Sequence, residues 1–176
     1  MIKIYINSWL DIVIKMSKRR CEKLNIILKP VGYIRSERKE MLDDNWGGIV
    51  STIELDPQQF NEDAILGLHT FSHIEVIFYF HKVKANKIET GSRHPRNNIN
   101  WPKIGIFSQR GKNRPNQLGL SCCQIIDIEG LSIKVNGLDA IDGTPVLDIK
   151  PYMSEFAPKG NIFQPEWSRE LMKKYF

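Results

Sequence analysis

Cysteine is scarce in this sequence, three among 176 residues, and the three are poorly placed for chemistry. Cys21, Cys122 and Cys123 have no metal-ligand spacing, and an odd count argues against a closed disulfide framework. Cys122 and Cys123 are adjacent within an apparent strand, so their side chains should leave on opposite faces, in packing roles and buried. A chain without a disulfide framework suits a reducing compartment, and a cytoplasmic location is expected. Long apolar runs are also missing, which excludes a helical membrane span. The opening MIKIYINSWLDIVIKM is interrupted by Asn7, Ser8 and Asp11, and no small-residue cleavage site follows, so a cleaved leader is not expected. There are no internal repeats and no low-complexity tracts.

Several familiar motifs fail on inspection. GIFSQRGKN, Gly105 to Asn113, half resembles a phosphate loop. Five residues separate its glycines where four are required, and Asn113 stands where a metal-binding Ser or Thr belongs. His69 and His73 are four apart, but Thr70 replaces the glutamate of a zinc-protease helix and a strand begins at once. No metal is expected. Ser121 lies outside any Gly-x-Ser-x-Gly context, so nucleophilic catalysis has little support.

What is present describes one domain of ordinary globular composition, with 41% hydrophobic and 26% charged residues. The net charge of +5 is local in origin. Residues 1 to 29 carry seven Lys/Arg against two Asp/Glu, and the remaining 18 basic and 18 acidic residues cancel. Within the balanced part, Lys82 to Arg114 holds nine cations against Glu89 alone. That segment is either a polyanion footprint or a solvated basic loop, because phosphate contacts need clustered cations more than a high isoelectric point.

Alternation and turn chemistry predict a mainly β chain. NIILKPVGYI, Asn25 to Ile34, reads as a strand with a Pro-marked irregularity, and Ile49 to Leu55 as a half-buried strand. Asp56-Pro57 predicts a short helix reaching Gly67, with Asp56 as its cap. Ile74 to Phe80 is a central strand by its β-branched and aromatic content. Residues 82 to 102 predict a long polar connection of the kind that is functional or mobile. Ile104 to Phe107 is a strand, and Leu118 to Ile128 pairs with Leu131 to Val135 around Glu129-Gly130. A final amphipathic helix lies in PEWSRELMKKYF. Many short strands point to a barrel, with one short internal helix and one C-terminal helix.

Three blocks carry the candidate chemistry. DAIDGTPVLDIKPY, Asp139 to Tyr152, combines an Asp-Gly-Thr-Pro turn with three carboxylates and a short buried strand of Val146, Leu147 and Ile149 that Pro151 ends. IGIFSQRGKNRPNQLGLS, Ile104 to Ser121, carries Arg110, Lys112 and Arg114 at alternate positions, which an extended loop would present to one side. FSHIEVIFYFH, Phe71 to His81, ends an apolar strand in His81 just as the basic segment opens; a site residue and a solvated strand end are both open there. Trp46 is the one aromatic in the polar loop RSERKEMLDDNWGG. Core packing and stacking on an adenine or a sulfonium are both open for it.

Together these blocks, in this order from Lys29 through Pro158, resemble the TsaA-like (TrmO-like) family of S-adenosylmethionine-dependent tRNA methyltransferases. The resemblance implies a single-sheeted β-barrel methyltransferase unlike the Rossmann type, consistent with the missing Gly-x-Gly after a first strand. It implies S-adenosylmethionine as methyl donor without a metal, a homodimer, and N6 methylation of threonylcarbamoyladenosine beside the anticodon of tRNA. Carried over by motif, cofactor contacts fall on His81, Lys82, Arg110, the Leu120 backbone and Asp139, Ala140, Ile141 and Asp142. The early-loop contacts fall on Asp44, Asn45 and Trp46, where DDNWG stands in place of the family's Pro-Arg-Gln. Asp139 and Asp142 are the candidates for balancing the sulfonium and accepting the N6 proton. Arg93, Arg96, Lys112 and Arg114 are the candidates for RNA phosphates. Gln117-Leu118 replaces Pro-Ile in a turn and is expected to leave the site intact. The larger members' C-terminal RNA-contacting domain has no counterpart before Phe176, which leaves a small-molecule methyltransferase or a non-enzymatic RNA- or cofactor-binding module as alternatives. The expected organisation is a dispensable extension over 1–25, with Met16 as a second plausible start, a barrel domain over 26–158 and a tail over 159–176.

Overall fold

In a computed structural model the structure describes residues 26–176. The expected extension 1–25, with Cys21 and Met16, lies outside them. The strands are β1 (Gly32–Ser36), β2 (Val50–Leu55), β3 (His73–Tyr79), β4 (Ser92–Arg93), β5 (Ile104–Gly105), β6 (Leu118–Glu129), β7 (Ser132–Asn136) and β8 (Pro145–Pro151). Six of them close into an antiparallel barrel in the order β1-β2-β7-β6-β3-β8. β4 and β5 form a separate two-stranded ladder on the long connection.

Strict alternation builds the barrel interior. Ile74, Val76 and Phe78 of β3 point inward with Ile53 of β2, Ile133 and Val135 of β7, Ile34 of β1, Cys123 of β6 and Val146 of β8. Burying each such aliphatic side chain contributes about 1.5–3 kcal/mol before chain entropy is counted. A small barrel must be filled by its own side chains, so sizes have to match across it. A Cβ at Gly119 would collide with the edge of the Phe78 ring, and glycine there leaves room for the ring. Closure joins β1 to β8 by pairing Gly32 with Val146 and Tyr33 with Pro145. The Asp-Gly-Thr-Pro turn completes the seam: Gly143 has φ of +73°, and its N–H donates to the Ile34 carbonyl at 2.8 Å.

The structure corrects several local expectations. β1 begins at Gly32 rather than Asn25, since Pro30 has no N–H for a ladder. The predicted helix after Asp56 is two 3-10 helices, Glu62–Ile65 and Leu68–Thr70. Leu66 leaves helical geometry with ψ of 125° and Gly67 takes φ of +85°, which breaks a continuous helix. Only Ile104–Gly105 of the predicted strand pairs, because Ile106 turns into a 3-10 helix and is buried. The connection over 82–102 is not structureless, holding β4 and two 3-10 turns, Ala85–Lys87 and Pro95–Asn97. Cys123 is buried as expected, whereas Cys122 is exposed, as adjacent strand positions on opposite faces require. The C-terminal helix forms at Glu166–Met172.

Candidate functional site

Antiparallel closure decides where the three blocks meet. β1, β3 and β7 end where β2, β6 and β8 begin, so the connections 37–49, 80–117 and 137–144 all emerge on one rim. Every residue assigned to cofactor or RNA lies on these connections or, for Leu120, two residues inside β6.

Both carboxylate oxygens of Asp139 are engaged. Its Oδ1 accepts from the Ser121 hydroxyl of β6, and its Oδ2 accepts from the Tyr175 hydroxyl at 2.6 Å. Neither partner was singled out from sequence as a site residue. Asp142 is tied differently: its Oδ1 accepts from the Ser36 N–H at 3.1 Å and its own N–H donates to the Arg38 carbonyl at 2.8 Å. It therefore anchors the turn to the end of β1. Ala140 and Ile141 between them are buried and pack inward.

The early loop is held from three directions. The Arg38 guanidinium lies 3.7 Å from the centre of the Trp46 ring and donates to the carbonyls of Asn45, at 2.9 Å, and Asp44, at 2.7 Å. Trp46 is only 4% exposed, so it is not an open stacking platform; Arg38 already covers a face of its ring. The second hold is Arg96, whose guanidinium donates to both carboxylate oxygens of Asp44 at 3.0 and 2.7 Å. The third is the chain's own tail: Asn45 N–H donates to the Lys174 carbonyl at 2.8 Å and Trp46 N–H to the Tyr175 carbonyl at 2.6 Å.

These contacts revise the picture of the basic segment. Arg96 adopts φ of +50° and Asn97 +59°, conformations unusual for such residues, and the result directs the Arg96 guanidinium onto Asp44. Lys112 pairs with Asp43 at 2.8 Å, Arg114 donates to the Gln109 carbonyl at 3.2 Å, and Arg110 donates to the Leu120 carbonyl at 2.6 Å. The expectation that Arg110, Lys112 and Arg114 face one side together is thus corrected; each is drawn to a different partner. Arg93 is half-buried beside Gly111 and its Nε has no partner among the described residues.

His81 and Lys82 sit where β3 leaves the barrel. Desolvation, with a smaller contribution from the Lys82 charge, pushes the His81 pKa below the usual imidazole value, so the ring is neutral at pH 7. Lys82 reaches the Lys39 carbonyl at 3.3 Å. Gln117, the expected neutral replacement, is an active clamp: it takes φ of +51°, accepts from Tyr79 Oη at 2.9 Å, and donates to the carbonyls of Phe80 and Val83 at 3.1 and 3.0 Å. The segment carrying His81 and Lys82 is therefore pinned by the side chain that sequence reading passed over. Arg38 could have been found from its place in a loop with a lone tryptophan; Tyr175 offers no local signal.

The residues present fit a polar ligand that carries a positive charge. Asp139 offers a half-buried carboxylate, Arg38 Nε is a buried donor without an acceptor among the described residues, and Leu120 is exposed at the rim. No group of His, Cys, Asp and Glu capable of holding a metal occurs among the described residues. Two clefts of about 560 and 540 Å³ lie at the opposite end of the barrel, around Pro57 to Ala64 and around Phe60, Leu66 and Phe71, and border none of these residues.

Solved relatives share this fold. A crystal structure of TrmO from P. aeruginosa matches with a TM-score of 0.67 at 27% identity, over 84% of this chain and 64% of that one. The sequence pattern of the tRNA-methyltransferase O N-terminal domain matches residues 44–157, and the chain belongs to that family. A tRNA (adenine(37)-N6)-methyltransferase of Homo sapiens is 35% identical over 84% of this chain but only 35% of its own length. A probable S-adenosyl-L-methionine-binding protein of Methanothermobacter thermautotrophicus is 37% identical over 78% of this chain and 97% of its own. The chain thus spans about a third of the human relative and nearly all of the archaeal one.

Proposed function

We propose that this chain transfers a methyl group from S-adenosylmethionine to N6 of an adenine in tRNA, with threonylcarbamoyladenosine beside the anticodon as the substrate base. The observation that carries the reading is the convergence of residues 44–46, 81–82, 110, 120 and 139–142 on one barrel rim. It is supported by the relatives' names, one a tRNA (adenine(37)-N6)-methyltransferase and one a probable S-adenosyl-L-methionine-binding protein.

S-adenosylmethionine, when bound, supplies a methyl already activated on a sulfonium. The chain contributes position and charge, which are the main terms for such a displacement. Asp44, Asn45 and Trp46, with His81, Lys82, Arg110, the Leu120 backbone and Asp139 to Asp142, would hold the donor. The Asp139 carboxylate balances the cation. Asp139 and Asp142 are the two candidates to take the N6 proton: both oxygens of Asp139 accept from hydroxyls, whereas Asp142 accepts a backbone amide on one oxygen. The enzyme works as a cytoplasmic homodimer in this reading, with the donor near the subunit interface.

Calorimetry with S-adenosylmethionine on the full chain and on Asp139→Ala tests the site, and nucleoside analysis of tRNA from a deletion strain tests the substrate. Loss of N6-methylated threonylcarbamoyladenosine in that strain is expected; unchanged tRNA with intact donor binding would defeat the tRNA assignment. A small-molecule acceptor is the second reading. It is favoured by one observation, that Arg96 and Lys112 are already neutralised by Asp44 and Asp43 and so are not free for phosphates.

A further inference from the structure

We propose that Tyr175 is a positioning residue for Asp139, making the segment 172–176 one wall of the site. What the carboxylate is used for rests on the functional reading above; the contact itself does not.

The chain leaves β8 at the far end of the barrel and returns to the functional rim. On the way Glu170 accepts from the Trp101 indole N–H at 2.7 Å, and the Trp167 and Trp101 rings lie 6.5 Å apart. The return therefore packs first on the connection that carries the basic residues. Lys174 and Tyr175 then receive the two backbone N–H groups of Asn45 and Trp46. Gly47 is needed for this approach, since a Cβ there would stand 2.6 Å from the Phe176 backbone. Two of the regions assigned to the donor, 44–46 and 139, are in this way joined by one short segment.

The Tyr175 hydroxyl is the only group of that segment bonded to Asp139 among the described residues. With Ser121 on the other oxygen, the carboxylate is held in rotation from both sides. Burial, and then the charge and hydrogen bond of Asp139, hold the Tyr175 phenol far above its ordinary range. It consequently remains a donor at every working pH. An oriented, anionic Asp139 is what a cationic donor requires in the ground state. Tyr175 would touch neither methyl donor nor base and acts through Asp139.

Tyr175→Phe keeps the ring, which packs edge-on to Phe176 with centroids 5.0 Å apart, and removes only the hydroxyl. Its kcat should fall about tenfold, the effect of one lost hydrogen bond to a charged group, while affinity for S-adenosylhomocysteine, used as the probe, changes less than about threefold. In the unmutated chain the Tyr175 hydroxyl proton, held by the carboxylate, should give a downfield NMR resonance that disappears in Asp139→Ala, a measurement independent of whether Tyr175→Phe folds. An unchanged kcat in Tyr175→Phe, or a Tyr175 hydroxyl resonance indifferent to Asp139→Ala, overturns the proposal and leaves Tyr175 as packing. A wild-type chain that takes up no S-adenosylhomocysteine would sink the functional reading instead, while the hydroxyl resonance would still decide the contact.

Discussion

Arg96 shows how a single side chain can be drawn from one role to another by its surroundings. By sequence it belongs to a run of nine cations and suits an RNA phosphate. In the fold it sits at φ of +50° and grips both oxygens of Asp44, with its side chain 25% exposed. Alanine would keep the same left-handed backbone cost, since it has the same Cβ, and would lose a partly exposed ion pair worth about 1 kcal/mol. Arg96→Ala should therefore alter stability by only about 1 kcal/mol in a denaturant titration. It should weaken donor binding by roughly tenfold in calorimetry, because the 43–46 loop loses its anchor. Equal donor affinity in the two proteins would show that the loop does not contact the donor. The adjacent cysteines make a second residue-scale test. Burial pushes the Cys123 thiol up to about 12, with the Asp139 charge adding to it, whereas Cys122 is exposed and its thiol is raised less. Iodoacetamide at pH 7.5 should label Cys122 slowly and leave Cys123 untouched until the chain unfolds, as peptide mass spectrometry would report.

Among the elements, the pairing of β3 with β6 is the one on which the barrel's interior depends. Phe78 lies opposite Gly119, and its ring takes the volume that any side chain at 119 would need. Gly119→Ala should destabilise the chain by about 2–3 kcal/mol through overpacking. Phe78→Leu in the same chain should recover part of that loss, since the smaller side chain vacates the space. Additive destabilisation in the double variant, measured by urea unfolding, would show that the two positions do not compete. The same register places Leu120 one step further along, with Ile77 opposite, where its exposed face and its carbonyl are left to the rim and to Arg110. Core filling and site geometry are thus two sides of one strand.

At the scale of the whole molecule, the question is where an RNA backbone could lie. Two of the cations named for that role, Arg96 and Lys112, are ion-paired to the early loop. Lys84, Lys87 and Lys103 of the same segment are exposed and carry no ion pair among the described residues. If tRNA is the substrate, binding should weaken steeply with salt, and Lys84→Gln with Lys87→Gln should flatten the log–log slope by roughly one for each lost phosphate contact. Donor affinity should stay unchanged in the same protein. Filter binding across a salt series reads the slope directly, and a flat response in the unmodified chain would favour a small-molecule acceptor.

Much of the barrel was legible because its rules are local. Period-two alternation marked β2, β3 and β7, and the Asp-Gly-Thr-Pro turn announced the positive φ at Gly143 that closes the seam. Glu129-Gly130 marked its hairpin and Pro165 the start of the last helix. Sequence, by residues and by family resemblance, also picked out connections that the fold gathers on one rim. Tertiary structure alone decided which of their side chains are free. Arg96 and Asp44 are 52 residues apart, and Tyr175 and Asp139 are 36 apart; no local preference links either pair. Closure of the barrel brings Arg96 to Asp44 and the returning tail brings Tyr175 to Asp139, and desolvation there makes an unpaired charge costly enough that they bond to each other.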